Sequence, residues 1–403
     1  MTLPMAVLQI ADPRERRLVA VADRLLRLAG APRKWWRPSN PPASPSRILL
    51  LRLERIGDLV MTLPALAELR ALAPDASIDL VVGSWNHDVA KAISAVNRVE
   101  TLDAAWLARG SGGQGIVPLL LQARRWRARQ YDLAIGFEPD IRSNLLLAAS
   151  GARRLAGFVS GGGGPLLDVA LRYDARAHTA DNAIALVHAA LGRTSPAGIG
   201  PELALPESAR LEAARLLSGR AEPIVAVHVS GGRAIKQWPE ARFREVARTL
   251  IDRRGATILL TGSDADRDQV DAVMRELPAA HVVDVCGTLD LVTLAAVLDR
   301  ARMIVTGDTG PMHLAAAVGT PVVAVFGPSD PARYAPRGPL DRVVRIDLPC
   351  APCNRIRRPP ARCVGHTPDC LAGIETAQVL AAIDDVLAHA VEQASGAPLA
   401  RRS

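Results

Sequence analysis

Three short segments of this 403-residue chain place acids, hydroxyls, small residues and a lysine where a phosphate or a polyol could be held. The first is Leu53-Glu54-Arg55-Ile56-Gly57-Asp58, which follows an apolar run and opens the helical pattern MTLPALAELRAL. Ligands of parallel α/β sheets sit beyond the carboxyl ends of strands, so Asp58 stands where a general base could work. Asp is also a favoured helix cap, and spacing does not separate the two readings. The second segment is Ser230-Gly231-Gly232-Arg233-Ala234-Ile235-Lys236-Gln237-Trp238-Pro239. Its small residues let backbone N–H groups approach an anion, and Lys236 brings a point charge suited to a diphosphate; a solvated turn lysine is the plain alternative. The spacing is not that of a Walker A loop. In the third, Thr306-Gly307-Asp308-Thr309-Gly310-Pro311-Met312-His313, a hydroxyl, backbone N–H groups and a helix N-terminus meet at one spot that suits a phosphate, while Asp308 suits sugar hydroxyls. His313 reads either as a ligand contact or as a buried, satisfied histidine.

Four of the five cysteines, Cys350, Cys353, Cys363 and Cys370, fall in the pattern C-x2-C-x9-C-x6-C, with Cys286 apart in an apolar run. Between them, PCAPCNRIRRPPARC offers little core of its own, so a tetrahedral zinc or iron site would supply stability. Such a site would be structural, because four thiolates leave no position open. Four reduced thiols or a labile disulfide is the other reading.

These segments need a frame. Strand-like runs at 47–53, 77–82, 131–137 and 153–158 alternate with helical patterns, and the alternation restarts at 223–229, 256–262, 281–287, 302–307 and 321–327. Continuous Val/Ile/Leu runs separated by helices predict parallel sheets covered on both faces. The expected architecture is α/β, with two Rossmann-like domains facing a central cleft. Residues 47–192 form the first domain, 193–222 a Gly/Pro-rich linker, and 223–374 the second domain with a Cys-rich loop at 350–370. A C-terminal helix and tail occupy 375–403. Residues 1–46 are an extension: an Arg-rich amphipathic helix over 13–29, then the Pro-rich APRKWWRPSNPPASPS. That helix reads either as a membrane-surface element with Trp35 and Trp36 at the interface or as a helix lying on the body.

Composition sets the outer limits. Hydrophobic residues make up 49% and charged residues 22%, which excludes wholesale disorder, collagen and coiled coil. No apolar stretch approaches the ~20 residues of a bilayer span, and the N-terminus does not read as a secretory signal, so a cytoplasmic location is expected. The net charge of +8 is unevenly placed: residues 1–176 hold 24 Lys+Arg against 16 Asp+Glu, whereas residues 177–403 hold 25 of each. The first half is therefore expected to meet a polyanion, with Arg142, Arg153 and Arg154 as candidate contacts. Aromatic content of 3% and the absence of any RNA or DNA motif argue against nucleic acid.

GDLVMTLPAL, KQWPEARF, GDTGPMHLAAAVGTPVVAVFGPSDPARYAP and the downstream cysteines resemble glycosyltransferase family 9, the lipopolysaccharide heptosyltransferase family, over roughly Arg47 to Ile374. The resemblance implies a GT-B fold, an N-terminal acceptor domain, and a C-terminal domain for a sugar-nucleotide donor such as ADP-heptose. It also implies metal-independent inverting transfer without a catalytic cofactor. Matched position by position, Asp58 is similar to the general base, Ser230 and Lys236 to the diphosphate contacts, and Asp308, Thr309, Gly310 and His313 to the sugar-phosphate clamp. Asp266, in GSDAD, falls where an acid holds the nucleotide ribose. The acceptor implied is an anionic, lipopolysaccharide-core-like glycolipid, reached by peripheral contact with the cytoplasmic face of the inner membrane. A non-catalytic sugar-nucleotide-binding protein, and a family member glycosylating a protein, are the competing readings. The extension over residues 1–46 departs from the family pattern.

Overall fold

Each half of the chain builds a six-stranded parallel sheet. The computed structural model describes residues 8–35, 44–107, 112–194 and 203–396, and the chain divides into two units, Met1–Ala204 and Leu205–Ser403. In the first unit the strands are β1 (Arg47–Arg52), β2 (Ser77–Val82), β3 (Arg98–Thr101), β4 (Leu133–Gly136), β5 (Arg154–Phe158) and β6 (Val169–Leu171), in the order β3-β2-β1-β4-β5-β6. Central β1 aligns Leu50 with Leu80 on one side and Ile135 on the other. Its residues Ile48 to Leu51 are wholly buried because helices cover both faces, which is why the strand reads as an unbroken apolar run. On one face Leu49, Leu51, Val81 and Ala134 pack with Leu119, Trp126, Leu146 and Leu147 from the helical segments after β3 and β4. The Leu63–Leu72 and Thr179–Leu191 helices pack together as a second pair.

The second unit repeats the plan. Its strands β7 (Ile224–His228), β8 (Thr257–Thr261), β9 (Val282–Asp284), β10 (Met303–Gly307), β11 (Val322–Val325) and β12 (Arg342–Val344) run in the order β12-β11-β10-β7-β8-β9. Both orders are that of a doubly wound sheet, so each has a switch point where the winding reverses, between β1 and β4 and between β7 and β10. Trp238 meets Phe243 edge to face, with ring centroids 4.9 Å apart, and its Nε1 donates to the Ile374 carbonyl at 3.2 Å.

Strands β3, β6 and β12, of only three or four residues each, were not expected. Each is a short, partly exposed strand at or towards a sheet edge, where only one neighbour demands complementarity. The 193–222 stretch contains a helix, Glu207–Leu217, that packs on the Leu291–Asp299 helix of the second unit. The C-terminal helix, Thr376–Gly396, is integral to the second core through Val379, Ile383 and Val386. The N-terminal helix runs from Pro13 to Trp35, longer than the expected 13–29, and Trp36 lies outside the described residues.

Candidate active site

At the first switch point the chain leaves β1 through Leu53 and Glu54 into a short helix, Ile56–Val60, that carries Asp58 in its first turn. Asp58 Oδ2 accepts the Arg55 backbone N–H at 3.3 Å, so the carboxylate does serve the helix start, while its side chain stays 29% exposed. Beneath it lies Arg52, the last residue of β1 and 3% exposed. The Arg52 guanidinium donates to the Asp58 carbonyl (3.1 Å), the Phe137 carbonyl (2.9 Å) and Glu54 Oε2 (2.8 Å). Burial alone would lower the Arg52 pKa, but the carboxylates of Glu54, Asp58 and Glu138 outweigh it and raise it.

Glu138 arrives from the end of β4. Buried at 2% exposure, it accepts the Leu53 N–H and the Ser143 hydroxyl, and burial pushes its carboxyl above the usual range against the pull of Ser143, Arg52 and Leu53. Arg52, Glu138 and Ser143 were not singled out in the sequence. The signals were present as an Arg ending an apolar strand and an acid just after another.

In the second unit the loops following β7 and β10 meet at the corresponding switch point. Lys236 Nζ donates to the Asp308 carbonyl and, at 3.1 Å, to Asp308 Oδ2. His313 Nε2 lies 4.0 Å from Asp308 Oδ1. Burial works to raise the Asp308 pKa, yet Lys236, His313 and the Ser329 hydroxyl overcome it and hold the carboxyl below its ordinary range. Ser329 is a further residue that spacing did not reveal. Thr309 is the N-cap of the Gly310–Ala317 helix, but its hydroxyl faces Thr306 Oγ1 (3.2 Å) and leaves the first-turn N–H groups uncapped by it. The β7 loop folds tightly because Gln237 Oε1 accepts the Gly231 N–H at 2.7 Å. A Cβ on Gly231 would lie 2.5 Å from the Lys236 backbone, so only glycine fits there.

Ser230 and Asp266 come together one strand away, at the ends of β7 and β8. Asp266 Oδ2 accepts the Ser263 N–H (2.9 Å) and hydroxyl (2.6 Å). Burial favours its neutral form, but hydrogen bonds from Ser230 and Ser263, with His228 nearby, hold its pKa down. His228 is buried, its Nδ1 is 3.0 Å from Thr261 Oγ1, and burial lowers its pKa to about 4 despite Asp266.

The profile of Glycosyltransferase family 9 (heptosyltransferase) matches residues 121–361, well over half of the chain. The chain belongs to glycosyltransferase family 9. It is 29% identical over 325 residues to lipopolysaccharide heptosyltransferase 1 of Pseudomonas aeruginosa, covering 76% of this chain and 86% of that protein. Lipopolysaccharide heptosyltransferase 2 of Escherichia coli is 25% identical over 312 residues, covering 74% and 88%. In fold, the E. coli ADP-heptose lipopolysaccharide heptosyltransferase II superposes with a TM-score of 0.70 at 22% identity, over 85% of this chain and 99% of that one. The protein is thus a GT-B glycosyltransferase.

One expectation changes for this glycosyltransferase. Arg153 and Arg154 lie at the amino end of β5, the edge opposite to the one where such sheets bind ligands, and Arg153 is 3.8 Å from Asp132. Arg142 pairs with Asp140 and stacks 4.7 Å over the Trp106 ring. The three arginines are therefore no common acceptor patch. The cysteines are all free, and among the described residues no three His, Cys, Asp or Glu side chains gather closely enough to hold a metal ion. Cys350, Cys353, Cys363 and Cys370 thus form no ready tetrathiolate. Cys370 is buried, and burial followed by the charges of Cys353, Cys350 and Cys363 pushes its thiol up to about 11. No helix among the described residues is long and apolar enough to cross a membrane.

Proposed function

We propose that this enzyme transfers heptose from ADP-heptose to an anionic, lipopolysaccharide-core-like glycolipid, working at the cytoplasmic face of the inner membrane. The reading is supported by the likeness to lipopolysaccharide heptosyltransferases. The observation that carries it is the half-buried Lys236–Asp308 pair with buried His313 at the second switch point, the position at which doubly wound sheets take phosphorylated ligands.

In this reading the acceptor hydroxyl attacks the anomeric carbon as its proton passes to Asp58, whose half-buried carboxylate stands in the loop-helix segment beyond the carboxyl end of β1. The new C–O bond forms as the bond to the diphosphate breaks, and the electron pair leaves with ADP. A single displacement of this kind inverts the anomeric centre. Charge growing on the leaving diphosphate is met by Lys236, by Ser230 and by the N–H groups opening the Gly310–Ala317 helix beside Thr309, so no metal is required for that step. Asp308 and His313 orient the sugar-phosphate, and Asp266, already fixed by Ser263, takes the nucleotide ribose.

The test is mass spectrometry of products from purified protein offered ADP-heptose with candidate lipopolysaccharide-core acceptors. A mass gain of one heptosyl unit is expected. No gain with any core acceptor, alongside glycosylation of a protein substrate or use of another nucleotide sugar, overturns it.

The Cys350, Cys353, Cys363 and Cys370 group is the second part of the proposal, as a structural zinc or iron site. Its support is the CxxC spacing of Cys350 and Cys353 with two further thiols later in the same segment. Elemental analysis of protein purified without a metal-affinity tag decides it: below about 0.2 Zn or Fe per chain, the metal is removed from this account.

A further inference from the structure

The N-terminal helix, Pro13–Trp35, uses one side for the fold and leaves another unused. On its inner side Val19 and Asp23 are buried. Asp23 Oδ1 accepts the Gly163 N–H at 2.7 Å, and a Cβ on Gly162 would sit 2.3 Å from Val19 Cγ1, so the glycine turn is what lets the helix approach. Just ahead of the helix, Gln9 donates its N–H to the Ser160 carbonyl and its Nε2 to the Tyr173 carbonyl, each at 2.8 Å. The helix is therefore anchored to the first unit at both its start and its middle.

The outer side is apolar. Leu18 is 72% exposed, Val21 53%, Leu25 61% and Leu28 79%, and their spacing of three, four and three residues sets them in one stripe. They are four of the nine large hydrophobic side chains that are strongly exposed among the described residues. Val19 and Asp23 already fasten the helix, so folding gives no reason for this stripe. Exposed Arg17 and Arg24, seven residues apart, run along one edge of it, and exposed Arg14 heads it. Glu15 is the one exposed acid among residues 13–28. The sequence then adds Arg33, Lys34 and Arg37 with Trp35 and Trp36, and the whole +8 excess of the chain lies within residues 1–176.

We propose that this stripe docks on an anionic bilayer surface, with the helix lying in the headgroup plane, Leu18, Val21, Leu25 and Leu28 entering the acyl boundary and the arginines meeting lipid phosphates. An apolar face bordered by arginines, with its opposite face committed to protein, is the pattern of an interfacial helix. A second copy of the chain fits less well, since pairing this face with itself would bring the Arg17 and Arg24 edges together. The inference goes beyond the transfer reaction and stands without any particular donor or acceptor.

The test is co-sedimentation of the full chain with vesicles of phosphatidylglycerol mixed with phosphatidylcholine, compared with phosphatidylcholine alone. Binding is expected to the anionic vesicles only. It should fall at least about tenfold in a Leu18→Ser/Leu25→Ser variant and in an Arg17→Glu/Arg24→Glu variant, because each change removes one of the two attractions. All four side chains face outward, so both variants should keep the wild-type circular dichroism and ADP affinity. Equal binding to both vesicle types, no binding to either, or wild-type binding by the variants overturns the proposal. So does a dimer in solution that the Leu18→Ser/Leu25→Ser change dissociates. Loss of heptosyl transfer with vesicle binding intact would count against the proposed reaction and leave this surface standing.

Discussion

Arg52 Nη2 lies 3.7 Å from Asp58 Oδ1, and the same guanidinium donates through Nε to the Asp58 carbonyl. A fully buried cation at the end of the central strand thus holds both the backbone and the side chain of the proposed base. Glu138 faces that cation from the neighbouring strand end.

Arg52→Met should therefore cost about 3–5 kcal/mol of stability, because it strands the buried Glu138 carboxylate. Adding Glu138→Gln should return part of that loss. Urea unfolding of the two single variants and the double variant measures the coupling, and strictly additive losses would show that the pair does not interact.

Asp58→Asn keeps an oxygen for the Arg55 N–H and so preserves the helix start, but it cannot take a proton. Turnover should fall by ~10²–10⁴-fold while ADP affinity stays unchanged. If turnover remains near wild type, Asp58 is a helix residue only and the base lies elsewhere.

Lys236→Ala removes a charge-assisted contact worth about 1.5–3 kcal/mol to a diphosphate. It also leaves Asp308 without the cation that holds its pKa down. Calorimetric titration with ADP should show affinity reduced by one to two powers of ten, on the order of that energy. Wild-type affinity together with wild-type turnover would remove Lys236 from the donor site.

His228 makes stability depend on pH. Unfolded, its imidazole takes up a proton as the pH falls below 6.5, whereas burial lowers the folded value to about 4. Its contribution is complete above pH 6.5 and is lost as the pH falls toward 4, by up to about 3 kcal/mol. His228→Gln should flatten the unfolding free energy across this interval relative to wild type. Identical slopes for the two proteins would show that His228 does not titrate on unfolding.

Much of the architecture was readable from residue order. A strand buried on both faces must be apolar throughout, so β1, β2, β7, β8, β10 and β11 announce themselves, and the loops at their ends hold Asp58, Lys236 and Asp308. The edge strands β3, β6 and β12 escaped because three or four partly exposed residues make too short a pattern to read. Local spacing also could not say which charges would be buried. Leu53 and Glu138 are 85 positions apart, and only the β1–β4 pairing brings Glu138 onto one network with Leu53 and its neighbour Arg52. The same holds for Lys236 and Asp308, 72 positions apart and joined by the β7–β10 pairing. The arginines show the converse: a charge excess is plain in composition, but whether a given arginine faces a ligand, a carboxylate or the far edge of the sheet is set by strand direction. Periodicity is a property of neighbours along the chain, whereas a site at a switch point is assembled from strand ends that meet only when the sheet forms.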